Sequence, residues 1–286
     1  MTPRSNYFLK QPQFKFSLGS TLIFIFLSLV AWGIYFFSQV GFPSQNLTPY
    51  LIRTAIILIV DVFVIYLSGR LLRRNGLPAQ ALGFSVTNSS ITDVLVGALI
   101  GFLTVVIIAT LLYSFVPYHF VKGTLGISQL FKAGISYLAG NALEELLFRG
   151  FLFVVLSQLS GWRISMVIIA LLFGLFHLPG LGFTVPGMKM VATTALFSFI
   201  FSLSYVLTKS LWTAICTHAT SNIFLHAFAG LDGGGKAMFL PEFERNWPKS
   251  YDLGFWVAVV DAVIVSFLLY MIILWREKNR EKKKIL

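Results

Sequence analysis

The chain has 286 residues, of which 57% are hydrophobic and only 12% charged, about half the charged share of an ordinary soluble domain. This excludes a soluble globular fold and indicates a polytopic membrane protein. The formal net charge of +11 would point to nucleic acid if it were clustered on one surface, but the basic residues sit at the ends of apolar runs, and no nucleic-acid partner is expected. Cys216 stands alone, which rules out an intrachain disulfide and a cysteine-based zinc site.

A hydrocarbon core ~30 Å thick takes ~20 apolar residues per helix. Such runs cover residues 17–40, 51–69, 94–115, 133–159, 163–176, 191–208, 211–228 and 253–275, the fifth being the shortest. The expected fold is all-α, a polytopic transmembrane bundle of about eight helices. The first run follows Arg4, Lys10 and Lys15 but is longer than a secretory h-region. It has no small-x-small cleavage site, so it is expected to stay as an anchor.

Without internal repeats, heptads or Gly/Ser linkers, residues 1–286 are expected to form a single domain. Residues 77–93 form a connector in which Asn88, Ser89, Ser90 or Thr92 supplies a helix cap. Residues 230–250, with Gly233-Gly234-Gly235, Pro241 and Pro248, are expected to be a mobile outer loop.

With an even number of spans, one side of the membrane holds Arg4, Lys10, Lys15, Arg70, Arg73, Arg74, Arg163, Lys209 and the basic tail Arg276, Lys278, Arg280, Lys282, Lys283 and Lys284. The other holds Lys122, Lys132, Lys189, Lys236, Arg245 and Lys249. The positive-inside rule then places both termini in the cytoplasm. Short loops and the lack of targeting extensions lead to the expectation of a prokaryotic plasma membrane.

The chemistry begins in the fourth run, Asn141-Ala142-Leu143-Glu144-Glu145-Leu146-Leu147-Phe148-Arg149. Neighbouring helical residues point about 100° apart, whereas residues four apart share a face. Arg149 is therefore expected to neutralise Glu145, leaving Glu144 without a local partner as the candidate general base. The alternative is a purely structural Glu-Arg network, which leaves the second glutamate unexplained. His177 follows Phe173 by four residues, and Pro179 stops that helix. In the seventh run His218, Asn222 and His226 recur every four residues as a polar stripe. Such side chains in lipid normally face a bundle interior and have a task. Arg53 is expected to snorkel to the outer interface, and Asp61 and Asp261 to pair across helices.

In this order, Glu144-Glu145-x-x-x-Arg149, Phe173-x-x-x-His177 and His218-x-x-x-Asn222 resemble the three motifs of the CAAX-protease and bacteriocin-processing family, which includes type II CAAX prenyl endopeptidases and the bacterial Abi proteins. The resemblance covers about residues 134–228. It implies an eight-helix intramembrane endopeptidase acting on membrane-associated or lipid-modified peptides. Glu144 and His177 would activate the attacking water, His218 and Asn222 would stabilise the oxyanion, and Glu145 and Arg149 would act as supports.

Two mechanisms stay open. A catalytic zinc takes three protein ligands, for which Glu144, His177 and His218 are available, but His-Glu-x-x-His is absent and using Glu144 as a ligand removes the base. A metal-free site, with no cofactor, gives each residue a distinct role and is preferred. Counting along the helices puts His218 about 10 Å from the cytoplasmic end of its span and His177 toward the outer end. A chamber open to the cytoplasm is the expectation. A transporter would show inverted repeats, and none is seen; a non-catalytic scaffold or immunity protein would keep the same residues for packing alone.

Overall fold

The structure is a computed structural model and describes residues 7–41, 47–244 and 252–285. Arg4, Arg245, Pro248 and Lys249 lie outside them. Eight helical passages follow the eight apolar runs: α1 (Leu18–Gly41), α2 (Leu47–Arg74), α3 (Ser90–Phe115), α4 (Ile127–Glu145) continuing into α5 (Phe153–Ser160), α6 (Trp162–Phe176), α7 (Val185–Thr208), α8 (Leu211–Asn222) and α9 (Asp252–Ile285). α1, α2, α3, α7 and α9 are each long and apolar enough to cross a bilayer, and α6 is a shorter apolar helix. The protein is an all-α integral membrane bundle.

The two remaining passages are interrupted by wide turns. Leu146–Leu152 joins α4 to α5 as a π-helix, kinked at Gly150 where ψ is −111°. Ile223–Phe228 extends α8 as another. Such turns are rare local interruptions of α-helices that are frequent at functional sites, and here the first follows Glu144 and Glu145 and the second follows Asn222.

Small residues set how closely the helices approach. A Cβ on Gly97 or Gly101 would lie 2.4 Å from the carbonyl oxygen of Thr213 or Thr217. Only glycine allows α3 to seat α8 at that distance, the packing typical of membrane helices with small residues four apart. α8 is thereby fixed along the length that carries His218.

The ends of the passages sort onto two sides. On the side of the termini, the Lys15 amide donates to Asn75 O (2.9 Å), the Leu211 amide to Gly83 O (3.1 Å) and the Tyr205 hydroxyl to Leu82 O (2.8 Å). Arg163 meets Glu277 at 3.3 Å. On the opposite side, β1 (Tyr118–Lys122) pairs antiparallel with β2 (Phe239–Phe243), with Tyr118 opposite Phe243. The ends of the helical passages therefore alternate between the two sides.

Three sequence expectations are corrected. The stretch read as a mobile loop holds β2; its Pro241 is tolerated because both strands of a two-stranded ribbon are edges. Arg53 does not snorkel: it is 8% exposed and turns inward to donate to Ser136 Oγ at 3.0 Å. Asp61 and Asp261 make no ion pair among the described residues, Asp261 being buried with both oxygens unpartnered. At the connector, Ser90 closes the turn, accepting from the Thr87 amide and donating to Ser85 O, both at 2.9 Å.

Candidate active site

α4 carries two polar stripes on two faces. On the first, Tyr137, Asn141 and Glu145 meet His226, Asn222 and His218, one partner per turn in antiparallel register. The Tyr137 ring stacks on His226 with centroids 6.0 Å apart. Asn222 Nδ2 donates to Asn141 Oδ1 at 3.2 Å. His218 Nδ1 lies 2.9 Å from Glu145 Oε1. The polar stripe on α8 is thus matched by a polar stripe on α4, and this zipper aligns the two motifs.

Glu145 is the hub. Its carboxylate is fully buried, with Oε1 bonded to His218 and at 3.2 Å to Arg149 Nη1, the pairing expected from the spacing of four. Arg149 is also fully buried and spends its other donors on α7: Nη2 donates to Ser198 O at 2.9 Å and bonds the Ser198 hydroxyl, and Nε donates to Ser202 Oγ at 3.3 Å. Its guanidinium lies over Phe173 at 4.6 Å and Phe201 at 5.5 Å. A buried charge persists only when paired and hydrogen-bonded in this way.

Glu144 points away from this hub. Its side chain is 18% exposed and its Oε2 is 3.9 Å from His218 Nε2, too far for a direct hydrogen bond. Oε2 has no other partner among the described residues. His218 therefore stands between the two carboxylates, anchored on Glu145 by Nδ1 and presenting Nε2 toward Glu144. Its ring stacks on Phe201 at 4.1 Å and meets Phe173 edge-on at 5.9 Å.

His177 caps α6 at the start of the short turn containing Pro179. Its Nδ1 is 2.8 Å from Phe173 O. Because a carbonyl only accepts, Nδ1 carries the proton and Nε2 is left as an acceptor. Phe173 links the two imidazoles, its ring centroid being 4.8 Å from that of His177. This reconciles the depths: Phe173 lies level with His218, and His177 lies one turn beyond it toward the ribbon.

Partly exposed residues around the site run along 132–137, 191–197 and 222–226, all toward the β-ribbon. Toward the termini, Leu146, Phe151, Phe201, Tyr205 and Ala214 fill the bundle. Large buried side chains therefore pack the half toward the termini, and the partly exposed residues lie in the half toward the ribbon.

Among the described residues no three His, Cys, Asp or Glu side chains gather at metal-binding spacing; each candidate imidazole commits Nδ1, His177 to Phe173 O and His218 to Glu145, which leaves Nε2 toward the site.

Sequence reasoning missed Asn141, Ser198, Ser202 and the two aromatic plates. Ser198 and Ser202, four apart in an apolar helix, were a legible sign of a polar face on α7. Nothing in the sequence paired that face with Arg149.

Comparison with protein families matches residues 126–224 to the family described as type II CAAX prenyl endopeptidase Rce1-like. The matched segment runs from the N-cap of α4 into the π turn after α8. No curated protein sequence matches the chain. Residues 126–224, which hold all three motifs, are thus similar to the Rce1-like type II CAAX prenyl endopeptidases, in agreement with the CAAX-protease and bacteriocin-processing family that those motifs resemble.

Proposed function

We propose that the protein hydrolyses peptide bonds of membrane-associated peptides through water activated by Glu144, without a metal. The observation that carries this reading is the asymmetry of the two glutamates: Glu145 is fully buried and holds Arg149 and His218 through Oε1, while Glu144 pairs with no cation, is 18% exposed and turns Oε2 toward His218 Nε2 at 3.9 Å. At that separation one oxygen atom can sit within hydrogen-bond reach of both groups.

In this reading Glu144 takes a proton from water as the oxygen attacks the scissile carbonyl, and later gives it to the leaving amine. His177 Nε2, an acceptor because Nδ1–H is donated to Phe173 O, orients the water. The second N–H of Asn222 and the protonated Nε2 of His218 receive the developing oxyanion, with Glu145 compensating the imidazolium through the 2.9 Å contact. Arg149 and Glu145 position the imidazole without touching substrate.

Basic residues at the termini side, among them Lys15, Arg70, Arg73, Arg74, Arg163 and Arg276, support placing that side in the cytoplasm. Substrate then reaches the site from the ribbon side or laterally from the bilayer.

The test is cleavage of lipid-tethered peptides by protein reconstituted in nanodiscs. Glu144→Gln keeps shape and removes the base, so the cleavage rate should fall by about 10²–10⁴-fold, the usual share of general acid–base catalysis. Unchanged cleavage by a folded Glu144→Gln protein would refute the assignment. Chelation should leave the wild-type rate intact, and loss of activity restored by zinc would overturn the metal-free mechanism.

A further inference from the structure

One exposed stripe of α2 changes character along its length. Ile59, Val62 and Phe63 begin it, and Tyr66, Arg70, Arg73 and Arg74 continue it at helical spacing, all of them exposed. The stripe is apolar as far as Phe63 and basic from Arg70. Ile59 and Arg70 are eleven residues apart, or ~16 Å along the axis. That is about half of a hydrocarbon core ~30 Å thick, so the stripe runs the depth of one leaflet and ends in guanidinium groups on the side of the termini.

Tyr66, Arg70, Arg73 and Arg74 line an open cleft of about 370 Å³, within the ~300–1,000 Å³ typical of small-ligand sites. Arg70 Nη1 donates to the Tyr66 hydroxyl at 2.8 Å, with its guanidinium 5.7 Å from the ring centroid. That contact steadies Arg70 without neutralising it. Among the described residues no acidic side chain pairs with Arg70, Arg73 or Arg74, whereas Arg163 on the same side of the bundle meets Glu277. Nor does the end of α2 require them: Asn75 Nδ2 donates to Leu71 O at 2.8 Å and the Leu77 amide to Leu72 O at 2.9 Å, so these carbonyls are already satisfied. The Lys15 amide, bonded to Asn75 O, brings a fourth basic residue beside the helix end.

Three uncompensated guanidinium groups around one cleft repel one another, and a phosphate among them relieves that repulsion while accepting forked hydrogen bonds. The rest of the stripe selects among phosphates, because it offers apolar surface for the depth of a leaflet directly below the cleft. A free phosphate has no use for that surface, whereas a lipid covers it with an acyl chain. We propose that the cleft of Arg70, Arg73 and Arg74 binds an anionic glycerophospholipid from the leaflet on the side of the termini. Its phosphodiester sits among the guanidinium groups and a chain lies along Phe63, Val62 and Ile59. The site is separate from the Glu144 chemistry and stands whether or not the protein cleaves peptides.

Native mass spectrometry of the full chain in detergent micelles, with phosphatidylglycerol or phosphatidylcholine added, counts bound lipid and gives both affinities. Phosphatidylglycerol should bind at least about tenfold tighter, since each basic residue near the surface adds about fivefold to the affinity for an anionic lipid. A variant carrying Arg70→Gln, Arg73→Gln and Arg74→Gln should lose about 10²-fold in phosphatidylglycerol affinity on the same arithmetic. A control carrying Lys10→Gln, Lys278→Gln and Lys282→Gln removes equal charge from exposed positions on the same side, and its loss should stay within about twofold because distant charges are screened. Equal losses in the two variants would reduce the cleft to part of a diffuse surface field and overturn the proposal, as would equal binding of the two lipids. Inorganic phosphate in about 10²-fold excess should leave the lipid bound if the apolar stripe contributes to affinity; displacement would assign the cleft to a soluble phosphate and refute the lipid. Should the triple arginine variant fail to fold, Arg70→Gln alone decides, with about a fivefold loss expected and an unchanged affinity refuting the site.

Discussion

Replacing Arg149 by Met tests whether the buried ion pair holds the site together. Met keeps an unbranched apolar stem between Phe173 and Phe201, so the loss is mainly electrostatic. It removes the 3.2 Å contact to Glu145 and the donors to Ser198 and Ser202. Glu145 stays fully buried with His218 as its remaining hydrogen-bond partner. Breaking one side of a buried pair costs about 3–5 kcal/mol, because the surviving charge is left uncompensated. Removing both charges in a Glu145→Met, Arg149→Met double variant relieves that penalty, so the double should be less destabilised than the sum of the singles by at least about 2 kcal/mol. Unfolding in mixed micelles with increasing dodecyl sulfate, followed by circular dichroism, gives the three free energies. A cost below about 1 kcal/mol for Arg149→Met, or strictly additive singles, would show that the pair does not carry the packing of α4 on α7 and α8.

Gly101→Ala should cost about 1–3 kcal/mol, the usual range for overpacking, since the new Cβ would stand 2.4 Å from Thr217 O and 3.0 Å from Ser221 N. Peptide cleavage should fall with it, because those residues precede His218 and Asn222; Gly254→Ala, with nothing within 4 Å, is the near-neutral control, and equal melting temperatures would refute the close packing. In the loop before β2, burial raises the Asp232 carboxyl, but the His226 hydrogen bond at 2.8 Å and charge, with the Gly234 amide, outweigh it and hold it below the usual range. Its contribution is therefore present above the ordinary aspartate value of about 3.9 and lost as pH falls through the lower folded value. Hydrogen exchange at the Gly234 amide should accelerate in that acidic window, and Asp232→Asn should remove the pH dependence; a flat profile in the wild type would refute the link.

How much of this was legible without coordinates differs by element. Every apolar run became a helical passage, because the length of a membrane crossing and the need to satisfy each backbone polar group leave lipid-exposed sequence few alternatives. The pairing of Glu145 with Arg149 was legible for a similar reason: a spacing of four on a helix fixes proximity by covalent geometry alone. The strand pairing of residues 118–122 with 239–243 was not legible, since neither segment alternates clearly and Pro241 reads as a breaker. Arg53 was misread because position along a helix says how near an end a residue lies, not which way it turns.

The order and depth of the polar residues, the helical class and the likeness of residues 126–224 to a protease family were written in the chain itself, through periodicity and motif spacing. Which polar residues meet was decided only by packing. The close approach of α3 to α8 through Gly97 and Gly101, and the antiparallel register of Tyr137, Asn141 and Glu145 against His226, Asn222 and His218, separate one glutamate, fully buried and ion-paired, from a neighbour that is partly exposed and bound to no cation. Adjacent carboxylates are chemically identical in sequence, and only the helices packed around each make them different.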